Sequence, residues 1–503
     1  MTDEGDPRPH VVVAGGGITG LATAHRLLER GQGRVRVTVL EASTRFGGKI
    51  RTVRRDGLVL DGGPDAFVTT KPHAAALARE LGLGDRLIET TPENRRVYFR
   101  MGGKSFHLPE GLVLAVPTRF WPLVKSPLFS MGGLARMGLD LVLPAKHDDG
   151  DESIASFLRR RLGREAAERL GDPLLGGIYA GDPERLSLRA TFPQLIDLET
   201  QHRSLVLGAL AGRRAMARRA AASERSGAKT PPKHPPSPFL SFLGGMSELW
   251  EATLASVEKR GGVTRTETRI AGVRPTERGV HVTATSPRGN EEIHADHLVL
   301  ALPALTSASI LSGLDDEAAG LVRAIPHVSS ATCLLAFPES AIDHPLDGVG
   351  MLIPKSEGRQ AIALTFVTSK WRGRAPTGTV VLRVFLGGYS RPEIASFTDD
   401  DVLRTARGEV SALLGVRGEP ITHEVFRWSN ANPQPVVGHL DRVARVTERM
   451  SRFPAVTLAG AAFHGVGVPD CVKRGEEVAS SVLAQLDLAK DVGRSRSDEV
   501  RPS

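Results

Sequence analysis

The stretch VVVAGGGITGLATAHRLL, residues 11–28, decides the fold of the first part of the chain. Its apolar start predicts a buried strand, and the segment from Ile18 to about Arg30 predicts a helix. Between them, Gly15, Gly17 and Gly20 have the spacing Gly-x-Gly-x-x-Gly. Glycines at this spacing permit a tight turn, a close approach of the backbone to a pyrophosphate, and close packing of helix on strand. The stretch therefore predicts a dinucleotide site at a helix N-terminus.

The next segment supports this prediction. RVRVTVLEA, residues 34–42, alternates between polar and apolar residues and predicts a second strand that ends at Glu41. Glu41 follows Gly20 by 21 residues, which places its carboxylate to hold ribose hydroxyls. The other residues predicted to contact the cofactor around this turn are Gly16, Ile18, Thr19 and Ala42.

The segment EASTRFGGKIRT, residues 41–52, indicates which dinucleotide binds. Its glycine pair, which includes Gly48, offers another close backbone approach to phosphate, and Arg45 and Lys49 add compensating charge. A nicotinamide enzyme has no need of this second pair. The pattern resembles the flavin-containing amine oxidase superfamily, which includes amine oxidases, phytoene desaturases and protoporphyrinogen oxidases. That resemblance implies FAD rather than NAD as the cofactor.

Two further segments resemble the same superfamily. DGGPDAF, residues 61–67, is similar to a glycine-rich loop that runs along the flavin ring, which implies contacts from Gly63, Pro64, Asp65 and Ala66. LAGAAFHGVGVPDCVKRGEEVASSVL, residues 458–483, is similar to the segment that closes over the flavin, which implies contacts from Gly465, Val466, Gly467 and Val468. The resemblance also implies that Trp428 lies near the flavin and that Ile270 contacts the adenine.

Motifs outside the cofactor segments indicate the substrate class. PLLGGIYAGDPERLSLRATFPQL, residues 173–195, and QHRSLVLG, residues 201–208, closely resemble the bacterial oxygen-dependent porphyrinogen oxidases. The resemblance implies FAD-dependent six-electron oxidation of a porphyrinogen to a porphyrin, with O2 as acceptor and hydrogen peroxide as product. FGGKI, GPDAF and GVGVPDC look more like the family members that act on coproporphyrinogen III, so the resemblance favours this substrate, and protoporphyrinogen IX is the alternative. The alternative hypotheses are an amine or carotenoid oxidase and a flavin-binding protein without turnover.

Gly177 is the one residue predicted to take part in catalysis. It matches the family glycine whose carbonyl approaches the substrate, although a glycine in a tight turn would also explain its presence. Transfer of a hydride from a meso-carbon to flavin depends on orientation and an apolar pocket more than on a dedicated base. Cations at the pocket rim are needed for the propionates of the substrate, and Arg95, Arg96 and Arg203 are the candidates.

The order of these motifs predicts a mixed α/β and α+β fold. A discontinuous Rossmann-like FAD-binding domain is combined with a mixed-sheet substrate domain and an inserted helical domain. The predicted FAD-binding segments are 8–90, 239–312 and 441–488. The predicted insertions are a mostly helical domain at 91–210 that faces the substrate and the membrane, a basic Pro-rich insertion at 211–238 and a substrate-binding domain at 313–440. Residues 489–503 are predicted to be a disordered tail.

Composition limits the partners and the location. The net charge of +8 is concentrated at 213–233, where seven Lys and Arg accompany one acidic residue. No aromatic residues lie among these cations, so the segment does not predict binding to nucleic acid. The two cysteines are far apart in the chain and lack the spacing of metal ligands, which predicts a reduced protein without a metal site. The sequence has no apolar run of about 18 residues and no signal-like N-terminus, so we expect a cytoplasmic protein. Peripheral membrane contact through the helical domain or the basic insertion, and handover of the product to the next haem-pathway enzyme, are further expectations. The sequence does not determine the oligomeric state.

Overall fold

A parallel sheet of five strands forms the centre of the first domain in the computed structural model, which describes residues 6–113, 115–146, 148, 150–225 and 237–497. The strands come from distant parts of the chain, and all four neighbouring pairs are parallel. In spatial order they are Val263–Arg265, Arg36–Leu40, His10–Ala14, His297–Leu300 and Val456–Leu458. The predicted discontinuous Rossmann-like fold is therefore confirmed.

The helix Ile18–Gly31, which we call the glycine helix, lies directly against this sheet. Its apolar side chains, such as Leu21 and Leu27, pack against Val11 and Val13 of the central strand and Val478 of the final helix. Two long helices cover its outer sides, Ser247–Lys259 and Val468–Ser497. Because neighbours surround the glycine helix, all but a few of its residues are buried.

A mixed sheet of seven strands forms the second domain. Its neighbours are antiparallel except for one parallel pair, Gly350–Leu352 beside Val97–Met101. In spatial order the strands are Thr422–Pro433, His327–Pro338, Thr379–Gly387, Ala361–Phe366, Gly350–Leu352, Val97–Met101 and Lys104–His107. The helix Asp399–Leu414 packs on this sheet, and Thr398 and Asp401 form a capping box at its N-terminus. The predicted mixed-sheet part of the fold is confirmed.

Smaller sheets connect these two layers. The strands Thr52–Arg55 and Leu58–Asp61 form a hairpin, and Leu112–Val113 pairs with Val116–Pro117. Two three-stranded sheets comprise Phe67–Val68, Phe239–Phe242 and Leu87–Glu89, and Arg269–Thr276, Gly279–Ser286 and Gly289–Ala295. The remaining helices of these two layers are His73–Glu80, Ala304–Leu311, Asp316–Arg323, Val367–Lys370, His439–Met450 and Ala461–His464, with short 3-10 turns between elements.

The helical region packs around its own apolar core, which includes Phe157, Leu158 and Leu170. A buried ion pair joins Arg161 to Asp140 at 2.5 Å, and Asp140 also accepts a hydrogen bond from the Ser204 hydroxyl at 2.6 Å. The helices are Phe120–Val124, Met131–Gly138, Ile154–Leu162, Arg164–Ala166, Gly177–Tyr179, Leu188–Thr191, Pro193–His202 and Leu205–Arg225, with a π-helix at Ala167–Gly176. Pro173 lies inside the π-helix, a type of turn that is common at functional sites.

The structure differs from the predicted organisation in several places. The strands Val97–Met101 and Lys104–His107 lie within the segment predicted as mostly helical, because their alternating residues pack in the seven-stranded sheet. The helix Leu205–Arg225 extends into the predicted insertion 211–238, of which 226–236 lie outside the described residues. The final helix reaches Ser497, inside the predicted tail 489–503, and 498–503 lie outside the described residues. The domain boundaries themselves stay predictions.

Candidate active site

A cavity of about 840 Å³ lies where the two sheets and the helical region meet. It begins at the carboxyl end of the parallel sheet, between the glycine turn and the loop that follows His297–Leu300. In doubly wound folds, ligands bind at this edge of the sheet. The other end of the cavity is lined by the seven-stranded sheet and by residues 177–180. Its volume lies in the range of cofactor and substrate sites.

The three glycines of the turn have two different roles. A Cβ on Gly20 would lie 2.0 Å from the Gly15 carbonyl oxygen, and a Cβ on Gly15 would lie 2.4 Å from the Ala301 carbonyl oxygen. These two glycines therefore allow the helix, the strand and the neighbouring loop to pack closely. A Cβ on Gly17 would meet no atom within 4 Å, and Gly17 lines the cavity. The open space at Gly17, at the start of a helix, fits a pyrophosphate group.

Glu41 lies beside this turn. One carboxylate oxygen accepts a hydrogen bond from the Gly16 amide at 2.8 Å, and the other accepts from the Ser43 amide at 2.8 Å and hydroxyl at 2.7 Å. These bonds hold the carboxylate at the wall of the cavity, which Glu41, Ala42 and Ser43 all line. The geometry suits the predicted contact with ribose hydroxyls.

The second glycine pair also reaches the cavity, but its two cations differ. Lys49 lines the cavity together with Gly48, and its ammonium donates to the Ala431 carbonyl. Burial lowers the pKa of Lys49. Arg45 lies behind the loop instead, where its guanidinium donates to the Phe46 carbonyl at 2.9 Å and the Gly48 carbonyl at 2.7 Å. Arg45 therefore shapes the loop, and Lys49 is the one of these two cations that lines the cavity.

The loop at 62–64 forms the wall at the other end of the cavity. Gly63 and Pro64 line it, as does Trp428, whose indole nitrogen donates to the Gly62 carbonyl at 3.2 Å. Asp65 and Ala66, which were predicted to contact the cofactor, do not line the cavity. Asp65 turns away because Lys370 binds its carboxylate at 2.7 Å.

The predicted C-terminal contacts are divided in the same way. Val466 and Val468 line the cavity, whereas Gly465 and Gly467 lie beside them without lining it. Near Gly17 and Glu41, Ile18 and Thr19 line the cavity, but Gly16 and Gly20 contribute through backbone packing. Ile270 belongs to the apolar core and its strand neighbour Arg269 faces the cavity. Cys471 also lines the cavity, and burial raises the pKa of its thiol.

The helical region contributes Gly177, Ile178, Tyr179 and Ala180 to the lining. Gly177 has ordinary helical dihedrals, with φ −58°, and the nearest atom to an added Cβ, the Asp172 carbonyl oxygen, would be 3.8 Å away. Neither a left-handed backbone nor close packing therefore requires a glycine here. Its carbonyl accepts a hydrogen bond from the Ala180 amide at 3.2 Å.

The structure also shows lining residues that the sequence analysis missed. They come from the strands of the mixed sheet and include Arg383, Thr332, His327, Phe385 and Asn432. Of these residues, Arg383 could have been recognised from the sequence, because it lies in the apolar run VVLRVFLG and a charged residue is rarely buried in a strand without a binding partner. The others look like ordinary strand residues until the strands are paired.

The three arginines predicted to bind propionates do not line the cavity. Arg95 pairs with Glu89 at 3.2 Å, and Arg96 pairs with Asp347 at 2.8 Å. Arg203 has an exposed side chain at the end of the helix Pro193–His202. Among the described residues, the arginines that line the cavity are Arg269 and Arg383.

The fold and the cavity are typical of a dinucleotide-binding protein, and comparison with known proteins gives its family. The profile described as flavin containing amine oxidoreductase matches residues 18–483. The chain belongs to this family, and the predicted flavin cofactor, FAD, is confirmed.

Individual relatives are similar over nearly their full length. A protein of Propionibacterium freudenreichii named coproporphyrinogen III oxidase is 37% identical, over 94% of this chain and 90% of the relative. A Bacillus subtilis protein of the same name is 33% identical, over 96% and 99%. The chloroplastic protoporphyrinogen oxidase of Nicotiana tabacum is 30% identical, over 94% and 85%. A solved structure from Exiguobacterium sp. has a TM-score of 0.81 at 27% identity, over 95% and 99% of the two chains.

The substitution Gly17→Ala tests the assignment of the pyrophosphate position. The apoprotein should fold normally, because the added methyl meets no protein atom within 4 Å. The methyl should instead occupy space that the cofactor needs, at a cost of about 1–3 kcal/mol, or roughly 5- to 150-fold in the Kd for FAD. Quenching of FAD fluorescence by the apoprotein measures that constant. Gly320→Ala, at an open and exposed helix position, is the matched control, and equal FAD affinity in the two variants would contradict the assignment.

Proposed function

We propose that this protein oxidises coproporphyrinogen III to coproporphyrin III, with FAD as cofactor and O2 as electron acceptor. Each turnover would remove six electrons, and three O2 would be reduced to three hydrogen peroxide. The observation that carries the proposal is the 37% identity, along nearly the whole chain, to a relative named coproporphyrinogen III oxidase. The cavity supports it, since one continuous space joins the cofactor wall to the segment at 177–180.

The side chains in the cavity suit a reaction that depends on orientation. Bound FAD supplies the acceptor for hydride and returns the electrons to O2. Around the predicted ring position, Ile362, Phe385, Leu386 and Trp428 provide apolar surface that excludes water. Tyr179 stays neutral, because burial raises its pKa to about 12. Such walls hold a large flat substrate in place without offering it an ionised base.

The segment at 177–180 is held firmly against the mixed sheet. The Ala180 carbonyl accepts from the Tyr389 amide at 2.9 Å, and the Tyr179 carbonyl accepts from the Gln434 side chain at 2.9 Å. Asp172 accepts from the Tyr389 hydroxyl at 2.8 Å, which attaches the preceding π-helix to the same sheet. These contacts fix the distance between Gly177 and the cofactor wall, and this supports a role for Gly177 in substrate placement.

The preferred porphyrinogen distinguishes this proposal from its nearest alternative. We expect kcat/KM to be higher for coproporphyrinogen III than for protoporphyrinogen IX, with porphyrin fluorescence and peroxide release measured on the purified protein with bound FAD. A reversed ratio would favour the protoporphyrinogen IX alternative, which the relative from tobacco supports. If neither porphyrin formed faster than by autoxidation, the proposed activity would be rejected. Assays with amines and carotenoids would then test the second hypothesis, and inactivity in those assays would favour a flavoprotein without turnover.

Gly177→Ala separates a substrate role from a turn role. The backbone accepts alanine, so folding and FAD affinity should equal those of the native protein. A methyl that projects into the substrate space should lower kcat/KM roughly 10-fold or more, which corresponds to about 1–3 kcal/mol of overpacking. Steady-state kinetics with a thermal unfolding curve measures both effects. Unchanged kinetics in a stable Gly177→Ala protein would remove Gly177 from the proposed site.

We also propose that the helical region contacts membrane surfaces. Trp121, Met131 and Val142 are exposed by 68%, 71% and 69%, on neighbouring elements of this region. Lys125 lies over the Trp121 ring, with 5.4 Å between its ammonium and the ring centroid. Exposed apolar side chains beside cations suit the interface of an anionic bilayer. In the described part of the chain, no helix is long and apolar enough to cross a bilayer. Handover of product to a later enzyme stays a prediction.

The double substitution Trp121→Ser and Met131→Ser should weaken binding to phosphatidylglycerol vesicles at least tenfold, because two large apolar groups leave the interface. Cosedimentation measures the bound fraction. Ile421→Ser is the control, since Ile421 is equally apolar and 61% exposed but belongs to a different domain. Equal sedimentation of both variants would contradict this role of the helical region.

A further inference from the structure

Arg383 is a buried cation that the proposed reaction does not yet use. It lies in the middle of the strand Thr379–Gly387, is 3% exposed and lines the cavity. The residues beside it, Leu382 and Val384, pack in the apolar core on the opposite face of the sheet. Burial lowers its pKa, although the nearby carboxylates oppose this effect. A buried arginine is costly, so its contacts should indicate its use.

The guanidinium of Arg383 binds the loop that forms the cavity wall. One terminal nitrogen donates to the Gly62 carbonyl at 2.9 Å and to the Gly63 carbonyl at 2.5 Å. The Gly62 carbonyl also accepts from the Thr332 hydroxyl at 2.8 Å and the Trp428 indole at 3.2 Å. Three donors from three strands therefore hold one backbone oxygen, which fixes the position of this loop.

The charge around the loop is not fully compensated. Lys370 pairs with Asp65 at 2.7 Å, and Arg374 pairs with Asp61 at 3.1 Å. Burial raises the pKa of Asp65, but Lys370 and Arg383 together lower it to well below the usual range, so its carboxylate is ionised. Each carboxylate thus has a lysine or arginine partner of its own. Among these five side chains, Arg383 is the additional positive charge, and in the part of the chain that the structure describes its Nε is buried without a hydrogen-bond partner.

The predicted contacts would place the flavin ring at this loop. Glu41 is predicted to bind the ribose and Gly17 the pyrophosphate, and Gly63, Pro64 and Trp428, which are predicted to lie near the ring, line the same cavity. Arg383 contacts the backbone of this same wall. In a site that excludes water, a fixed positive charge favours whichever state of its neighbour carries more negative charge.

We propose that Arg383 is a positioning residue that sets the reduction potential of the bound flavin. It holds the Gly62–Gly63 backbone beside the ring, and its charge favours reduced flavin over oxidised flavin. The inference rests on the flavin site and is independent of which porphyrinogen is oxidised. Its test therefore needs no substrate.

Sulfite is a suitable probe, because it adds reversibly to oxidised flavin, bleaches the visible absorption and brings negative charge to the ring. We would titrate the protein with bound FAD and also measure its two-electron reduction potential. Arg383→Met removes the charge, Arg383→Lys keeps it, and Asp65→Asn removes an opposing charge. Arg372→Met is the matched control, since Arg372 is 76% exposed on the surface beside the same region.

The expected result is a change of sign between variants. Arg383→Met should raise the Kd for sulfite at least tenfold. It should also lower the reduction potential of the flavin, for which about 30 mV corresponds to a tenfold change in the equilibrium constant of a two-electron reduction. Arg383→Lys should stay within a few fold of the native Kd, Asp65→Asn should bind sulfite more tightly, and Arg372→Met should not change it. A general loss of structure would weaken sulfite binding in both Arg383→Met and Asp65→Asn, and that result would overturn the proposal.

The proposal can still be tested if one variant does not bind FAD. If Arg383→Met retains no FAD, Asp65→Asn and Arg383→Lys decide, and weaker sulfite binding in Asp65→Asn contradicts the proposal. If Arg383→Met binds FAD with native sulfite affinity, the charge of Arg383 has no influence on the ring. If the variants show the expected changes in sulfite Kd but the native protein does not oxidise coproporphyrinogen III, the proposed substrate is rejected and the role of Arg383 is retained.

Discussion

The close contact between Gly20 and the Gly15 carbonyl is the constraint on which the site depends. A Cβ on Gly20 would lie 2.0 Å from that oxygen, so only glycine lets the helix begin directly at the end of the central strand. This contact places the helix N-terminus at the edge of the sheet, with Gly17 facing open space. Unpaired amides and the helix dipole then favour a negatively charged group at that position. Any larger residue at Gly20 would move the helix away from the strand and change the cavity.

The discontinuity of the first domain follows from how parallel sheets are built. Parallel strands need long connections, and here two of these connections became the mixed sheet and the helical region. The carboxyl ends of the parallel strands share one edge, so Glu41, Leu302 and Val466 meet although hundreds of residues separate them. The mixed sheet then supplies the wall around Gly62, where Arg383, Thr332 and Trp428 converge on one carbonyl. One domain thus forms the part of the cavity that is predicted to bind the cofactor, and the other forms the walls around Gly62.

Buried charges in this protein are held in small, separate groups. Asp140 and Arg161 join three parts of the helical region, and Asp61 with Arg374 secures the hairpin that precedes the loop at 62–64. Such pairs add little net stability, because desolvation offsets their attraction, but removal of one partner leaves an uncompensated charge. They therefore specify which segments meet. Arg383 is different, since the carboxylates near it are already paired.

The sequence alone determined the parts of the site that lie close together in the chain. The glycine spacing, Glu41 and the glycine pair that includes Gly48 act through local backbone geometry, so their pattern predicts where they lie. The motif around Gly177 was recognised by resemblance to a family. Tertiary structure decided the rest: Arg45 binds backbone carbonyls of its own loop, Asp65 binds Lys370, and Ile270 packs in the core, so these three residues do not line the cavity. It also brought Arg383 and Thr332 to the loop at 62–64, because strand pairing over long distances determines which alternate residues face inward.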